Sequence, residues 1–385
     1  MTVAIINIGT IVSGDIYNPL IDGNTIIISG GKIAAIGGDK LLEKYRVEKT
    51  IDIAGAIVAP GLIDSHVHPV LGDFTPRQST LNYMDSSLHG GVTTMISAGE
   101  PHTPGRPKDP TGTKALAILV HKSFENFRPG GVKVHGGAVI LEKGLVEKDF
   151  DEMVEAGVWL VGEVGLGSVK SPEDAAPMVE WAKKRGMKVA MHTGGTSIPG
   201  SATVTADMVM KINPTVASHI NGGPTAISNE EIDKLIDLTT LPLEIVQCGN
   251  PKAADHVVKK LCKKEELNRV IIGNDSPSGT GIIPLGILRT IVQIASISGI
   301  VPEKAWAMAS GNTARVYGLD TSLIAEGKEA DLVVIDTPKG SMGKDALEAI
   351  KIGDLPAVAM VIIDGEVKVK VSRNTPPATK TITIK

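Results

Sequence analysis

GLIDSHVHP, Gly61 to Pro69, is an apolar run that closes on two histidines one residue apart, His66 and His68. Successive side chains of a strand point to opposite faces, so residues i and i+2 share a face. Read as a strand, the stretch sets both imidazoles side by side at its C-terminal end, where one ion could be gripped between them. The pair alone is weak evidence for a metal. With nine histidines in 385 residues, roughly 0.2 such pairs arise by chance. What decides the matter is whether other strands end the same way.

From Gly61 onward, short apolar runs alternate with helical patterns. The runs are GLIDSH, TTMISA, VKVHGGAV, VWLVGEVG, KVAMHTG, TVASHI, LPLEIVQCG and VIIGND. Between them lie TGTKALAILVHKSFENF, SPEDAAPMVEWAKKRG, SNEEIDKLIDL and PKAADHVVKKLCKKEEL. Ser171-Pro172 followed by Glu173 and Asp174 is a helix start, and Gly186 a helix stop. Eight strands with helices between them over about 260 residues predict an α/β fold, a (β/α)8 TIM barrel.

The two ends of the chain read differently. AIINIGTIVSGD, NTIIISGGKIAAIGG and TIDIAGAIVAPG are β-rich, with Gly30-Gly31 as a two-residue hairpin turn. ADLVVID, AVAMVIIDGEVKVK and TKTITIK repeat the pattern, with Asp364-Gly365 at the turn. Chain termini often lie close together, so one small β-sandwich built from both ends is expected. The predicted organisation is residues 1–58 (sandwich), 59–325 (barrel) and 326–385 (sandwich).

Barrel enzymes build their sites at the C-terminal ends of the strands. There the first strand carries His66 and His68, the fourth Glu163, the fifth His192, the sixth His219 and the eighth Asp275. Four histidines and two carboxylates at matched strand ends point to a metal site. In this the chain resembles the metal-dependent amidohydrolase superfamily: HxH on strand 1, a carboxylate on strand 4, histidines on strands 5 and 6, Asp on strand 8. GLIDSHVHP and GKEADLVVID (Gly327 to Asp336) are characteristic of it, and the resemblance covers nearly the whole chain.

The resemblance implies two divalent transition-metal ions, zinc foremost and iron at one position. His66, His68 and Asp275 would hold the more buried ion, His192 and His219 the more exposed one, and Glu163 would bridge them. Many relatives bridge with a carboxylated lysine; Glu163 stands in its place here, and Lys133, on the wrong strand, is set aside as a modified ligand. The implied activity is hydrolysis of a cyclic amide C–N bond by a metal-bridging hydroxide, with Asp275 as the catalytic acid–base group. Among Glu-bridged relatives the likeness is greatest to those that open a six-membered ring enamide, 6-oxo-1,4,5,6-tetrahydronicotinate, to 2-formylglutarate and ammonia. The alternatives are a dihydroorotase- or hydantoinase-type cyclic amidase, or a deaminase of the same superfamily. The deaminase pattern places a Glu shortly after the fifth-strand histidine, where this chain has Thr193-Gly194-Gly195. A non-catalytic scaffold fits poorly, because every ligand position is filled. Relatives are commonly oligomeric, which implies a homo-oligomer.

Of the other histidines, His135 in VKVHGG is the candidate substrate-binding residue, with backbone N–H groups of Thr193-Gly194-Gly195 as the alternative anchor for a substrate carboxylate. His102, in a Pro/Gly-rich loop over the mouth, is a candidate lid or substrate contact. His89 is read as a cation at a helix end, His121 and His256 as surface or packing residues of helices, and Cys248 as packing.

Composition bounds the partners. Charged residues make up 21% and the net charge is −4, so no basic surface for nucleic acid is expected. The two cysteines, Cys248 and Cys262, cannot build a disulfide framework, and a reducing, cytoplasmic location follows as the expectation. The N-terminal residues lack signal-peptide features. Ile282 to Val301 is long enough to span a bilayer but carries Arg289, Gln293, Pro284 and Gly286, and is expected to be a buried helix.

Overall fold

The computed structural model describes residues 1–70, 80–196, 202–223, 225–277 and 281–385. The eight apolar runs are strands: β1 (Leu62–Val67), β2 (Val92–Ser97), β3 (Lys133–His135), β4 (Leu160–Val164), β5 (Lys188–His192), β6 (Val216–Ser218), β7 (Leu243–Val246) and β8 (Val270–Gly273). All neighbours pair in parallel, in a three-stranded sheet ordered β3-β2-β1 and a five-stranded sheet ordered β4-β5-β6-β7-β8. Isolated parallel bridges, Val139 with Val161 and Val67 with Ser276, link the sheets at both seams. At these seams Gly162 N–H donates to Val139 O (2.8 Å) and Asp275 N–H to His66 O (3.0 Å). Parallel sheets have both faces covered and so read as continuous apolar runs; β1, β2, β4, β7 and β8 are buried along their whole length.

Each helix has a local cause. Asn250 and Ser171 cap helices Pro251–Lys263 and Pro172–Lys184 with side-chain oxygens, and both helices carry Pro at the start. Buried residues recur at helical spacing, as in Ala253, Ala254, Val257, Val258 and Leu261. The stretch Ile282 to Val301 yields an 11-residue helix, Gly286–Ser296. Among the described residues no helix is long and apolar enough to cross a membrane.

Both chain ends contribute to two further sheets. One is ordered Thr383–Ile384, Lys49–Asp52, Thr2–Ile6, Thr25–Ser29, Lys32–Gly37. The other runs Glu366–Val369, Ala357–Ile363, Leu332–Asp336, Ile57–Pro60, Thr10–Val12, Leu20–Ile21. The two hairpins read from sequence are present, with φ of 59° and 79° at Gly30-Gly31 and 52° and 76° at Asp364-Gly365. Alternation places Leu332 and Val334 in one apolar cluster with Ile5, Ile26 and Ile51, while Val333 and Ile335 join the large core around the parallel strands. Leu332–Asp336 is therefore buried on both faces.

Candidate metal centre

The strand ends bring six side chains together. His66, His68 and Asp275 form one group, and Glu163, His192 and His219 a second; within each, the potential ligand atoms lie within 4.8 Å of one another. Glu163 sits between them. Its Oε1 is 3.4 Å from His66 Nε2, 2.6 Å from His219 Nε2 and 3.9 Å from His192 Nδ1, while Oε2 is 3.8 Å from His68 Nε2. Asp275 Oδ1 lies 3.3 Å from His68 Nε2 and 3.7 Å from His66 Nε2. Two of the six adopt left-handed backbone, His219 (φ 33°) and Asp275 (φ 55°), a conformation uncommon outside glycine that collects at functional sites.

The electrostatics suit cations. Burial disfavours a protonated His66, but Glu244 and Glu163 outweigh it and hold its pKa well above the usual histidine value. His219 is raised, burial being outweighed by Glu163. Burial would raise Glu163 and Asp275, yet the histidines around them hold both well below the ordinary carboxylate range. His192 is pushed down to about 4 by burial and by His219. His66 Nε2 and both ring nitrogens of His192 are buried with no hydrogen-bond partner among the described residues. Buried polar atoms are normally satisfied. Ionised carboxylates and the neutral His192 ring are ligand forms metals require, while the carboxylate field that holds protons on His66 and His219 is one a bound cation would relieve. The donor set of four imidazoles and two carboxylates fits divalent transition metals.

Outer contacts orient these ligands. His68 Nδ1 is 3.0 Å from Gly99 O, and His66 Nδ1 is 2.7 Å from a Glu244 carboxylate oxygen, so each turns Nε2 toward the cluster. Glu244 went unread in the sequence. Its signal was a lone carboxylate inside the apolar run LPLEIVQCG. Cys248 was read as packing, but its thiol donates to Asp275 Oδ2 at 3.3 Å. Burial and the Asp275 charge push that thiol pKa up.

Other candidates fall elsewhere. His102 is brought to the edge of the centre, its ring 5.8 Å from that of His68. His135 is not. Its ring packs edge-on against Trp159 at 5.2 Å, and Trp159 precedes β4 at the end remote from Glu163. His135 lines a separate cavity of about 260 Å³ with His121, Phe124 and Leu319, where burial pushes its pKa down to about 4. His135 thus faces Trp159 and this cavity and not the clustered side chains of the centre. Its sequence position near a strand end misled because the chain continues past Gly136-Gly137 before bridging β4 at Val139. The alternative anchor is partly engaged, since Gly195 N–H donates to Thr225 O.

Lys133 is likewise remote from the ligands. Its ammonium meets Glu329, Asp331 and Asp364 at 2.6, 2.6 and 2.7 Å. His89 is no helix-end cation: burial and Arg373 lower its pKa, and its Nε2 lies 2.8 Å from Arg373 Nη1. His121 stands beside Glu125 but packs its mostly buried ring into the cavity of His135, while His256 stands beside Asp233 on a helix surface.

Comparison with known proteins gives three findings. Residues 57–368 match the amidohydrolase family. Enamidase of Eubacterium barkeri is 63% identical over 372 residues, covering 97% of this chain and 96% of that protein, and a crystal structure of enamidase superposes with TM-score 0.97, 61% identity and full coverage of both chains. An adenine deaminase of Bacillus velezensis is 25% identical over 337 residues, 83% of this chain but 52% of its own length.

Proposed function

This chain belongs to the amidohydrolase family, and on that premise we propose that it is an enamidase-type hydrolase that opens a cyclic enamide at its C–N amide bond. The observation that carries the reading is the pair of ligand groups meeting at one carboxylate, Glu163, in a chain so similar to enamidase. His66, His68 and Asp275 would hold one divalent ion, His192 and His219 the other, and Glu163 would bridge them. Zinc, with iron at one position, suits this donor set. The two parallel sheets and their seams are read as one (β/α)8 barrel of residues 59–325, and the two remaining sheets as a sandwich of residues 1–58 and 326–385, supported by the apolar cluster those sheets share.

Bound divalent ions supply Lewis acidity and an acidified water, with a pKa near ~7. The chain supplies orientation and proton transfer. Asp275 presents Oδ1 toward His66 and His68 and leaves Oδ2 toward the Cys248 thiol. From there it takes the proton of the attacking water and passes it to the departing ring nitrogen. Water adds to the carbonyl carbon, the C–N bond breaks, and the nitrogen leaves on an alkene carbon as an enamine. Tautomerisation gives an imine, and a second water gives an aldehyde and ammonia.

The substrate we propose is 6-oxo-1,4,5,6-tetrahydronicotinate and the products 2-formylglutarate and ammonia. The test measures free ammonia and trapped aldehyde from that substrate, with bound metal determined in parallel. Equal yields of both products are expected. Opening of dihydroorotate or a hydantoin without ammonia, and no action on the enamide, would instead make the chain an ordinary cyclic amidase.

A further inference from the structure

We infer that Glu244, on β7, is a positioning residue shared by both halves of the metal centre, an inference that rests on the two-metal reading above. Glu244 is fully buried. Its Oε1 accepts from the Ser65 hydroxyl. Its Oε2 lies 2.7 Å from His66 Nδ1 and accepts the backbone N–H of His219 at 3.2 Å. The contact to His66 fixes the Nδ1–H tautomer and turns the Nε2 lone pair into the cluster. The contact to His219 acts on the backbone instead. His219 has φ of 33°, and the anchored amide holds the turn that directs its ring toward Glu163. His66 belongs to one ligand group and His219 to the other, so a single carboxylate oxygen orients one ligand of each.

Charge points the same way. A buried carboxylate is costly without a compensating cation. The partners of Glu244 are a hydroxyl, an imidazole and a peptide N–H, with no Lys or Arg side chain among its described ion-pair or hydrogen-bond partners. Divalent ions held through His66 and His219 would offset its charge, and Glu244 in turn would raise the basicity of His66 toward them.

The discriminating variant is Glu244→Gln. Its amide oxygen can take the place of Oε2 and accept both N–H groups, while its NH2 donates to Ser65 Oγ, so the shape and the contacts survive and the charge is lost. Zn2+ is the probe: metal-free protein is reconstituted with Zn2+, and binding and release to a chelator are followed with the metal content per chain. Wild type should hold two ions. Glu244→Gln should melt within a few degrees of wild type and bind both ions roughly 10–100-fold more weakly, releasing the two together. Release from Glu244→Gln at wild-type rates, even with a lowered Tm, would overturn the positioning role. Loss of one ion alone would overturn the shared role. A wild-type protein that takes up no Zn2+ would overturn the two-metal reading itself.

Discussion

Glu163 makes the centre a single unit, because its two oxygens face three of the four histidines within 3.8 Å. On the two-metal reading, Glu163→Ala would remove the charge that offsets two dications, and is expected to lose at least one ion per chain by elemental analysis, with activity falling to background. Bicarbonate should have no effect on reconstitution of the wild type, since no lysine occupies the bridge. Asp275→Asn keeps an oxygen for coordination but cannot carry a proton; kcat should fall by about 10²–10⁴-fold with metal content retained. A variant within threefold of wild type would remove Asp275 from proton transfer. Glu100 gives a pH prediction. It is buried with both carboxylate oxygens unpartnered among the described residues, and burial holds its pKa well above the ordinary 4.5. The folded state thus binds this proton more tightly than the unfolded one, so stability falls as pH rises above the unfolded pKa, by up to about 1.4 kcal/mol per pH unit. Glu100→Gln should melt higher than wild type at pH 8, with the difference vanishing near pH 5 in a thermal scan. The six side chains that gather at the centre were legible because ligand-type residues at strand ends are visible in one dimension. Glu100 and Glu244 were not: Glu244 left only a lone carboxylate within an apolar run, and the partners it meets, His66 and His219, come from distant segments.

At the scale of elements, β4 places Glu163 by a close approach of backbones. A Cβ on Gly162 would stand 2.6 Å from Ala98 O, the carbonyl that also accepts Glu163 N–H at 2.9 Å. Neither group can yield, so Gly162→Ala should cost about 1–3 kcal/mol in denaturant unfolding and lower the metal bound per chain. Unchanged metal content would show that β4 tolerates the shift. All eight parallel strands and both hairpins were readable from apolar runs and turn residues, since period and turn chemistry are local. The end of β3 was not, because Gly136-Gly137 interrupts a run whose continuation to Val139 is fixed only by pairing with Val161. His135 was misplaced for that reason.

Across the whole molecule, one ammonium ties the parallel-strand unit to the sheet built from the chain ends. Lys133 at the start of β3 meets Glu329, Asp331 and Asp364, and the Asp331 side chain is completely buried. Removing one partner leaves a buried charge uncompensated, so Lys133→Met should lose about 3 kcal/mol of stability, read by denaturant unfolding, while the folded fraction keeps its metal. Loss of metal with unchanged stability would contradict the latch. The sequence by itself determined the alternation of strands and helices, the β-rich character of both ends, and the six candidate ligands that gather at the strand ends, because hydrophobic period, turn residues and donor chemistry are written along the chain. Only the tertiary structure decided that Ile57–Pro60 pairs with Leu332–Asp336, that Lys133 faces carboxylates from about 200 residues later, and that Glu244 reaches His66 and His219 from β7. Those contacts depend on which distant segments become neighbours, and that is set by burying both faces of the sheets at once.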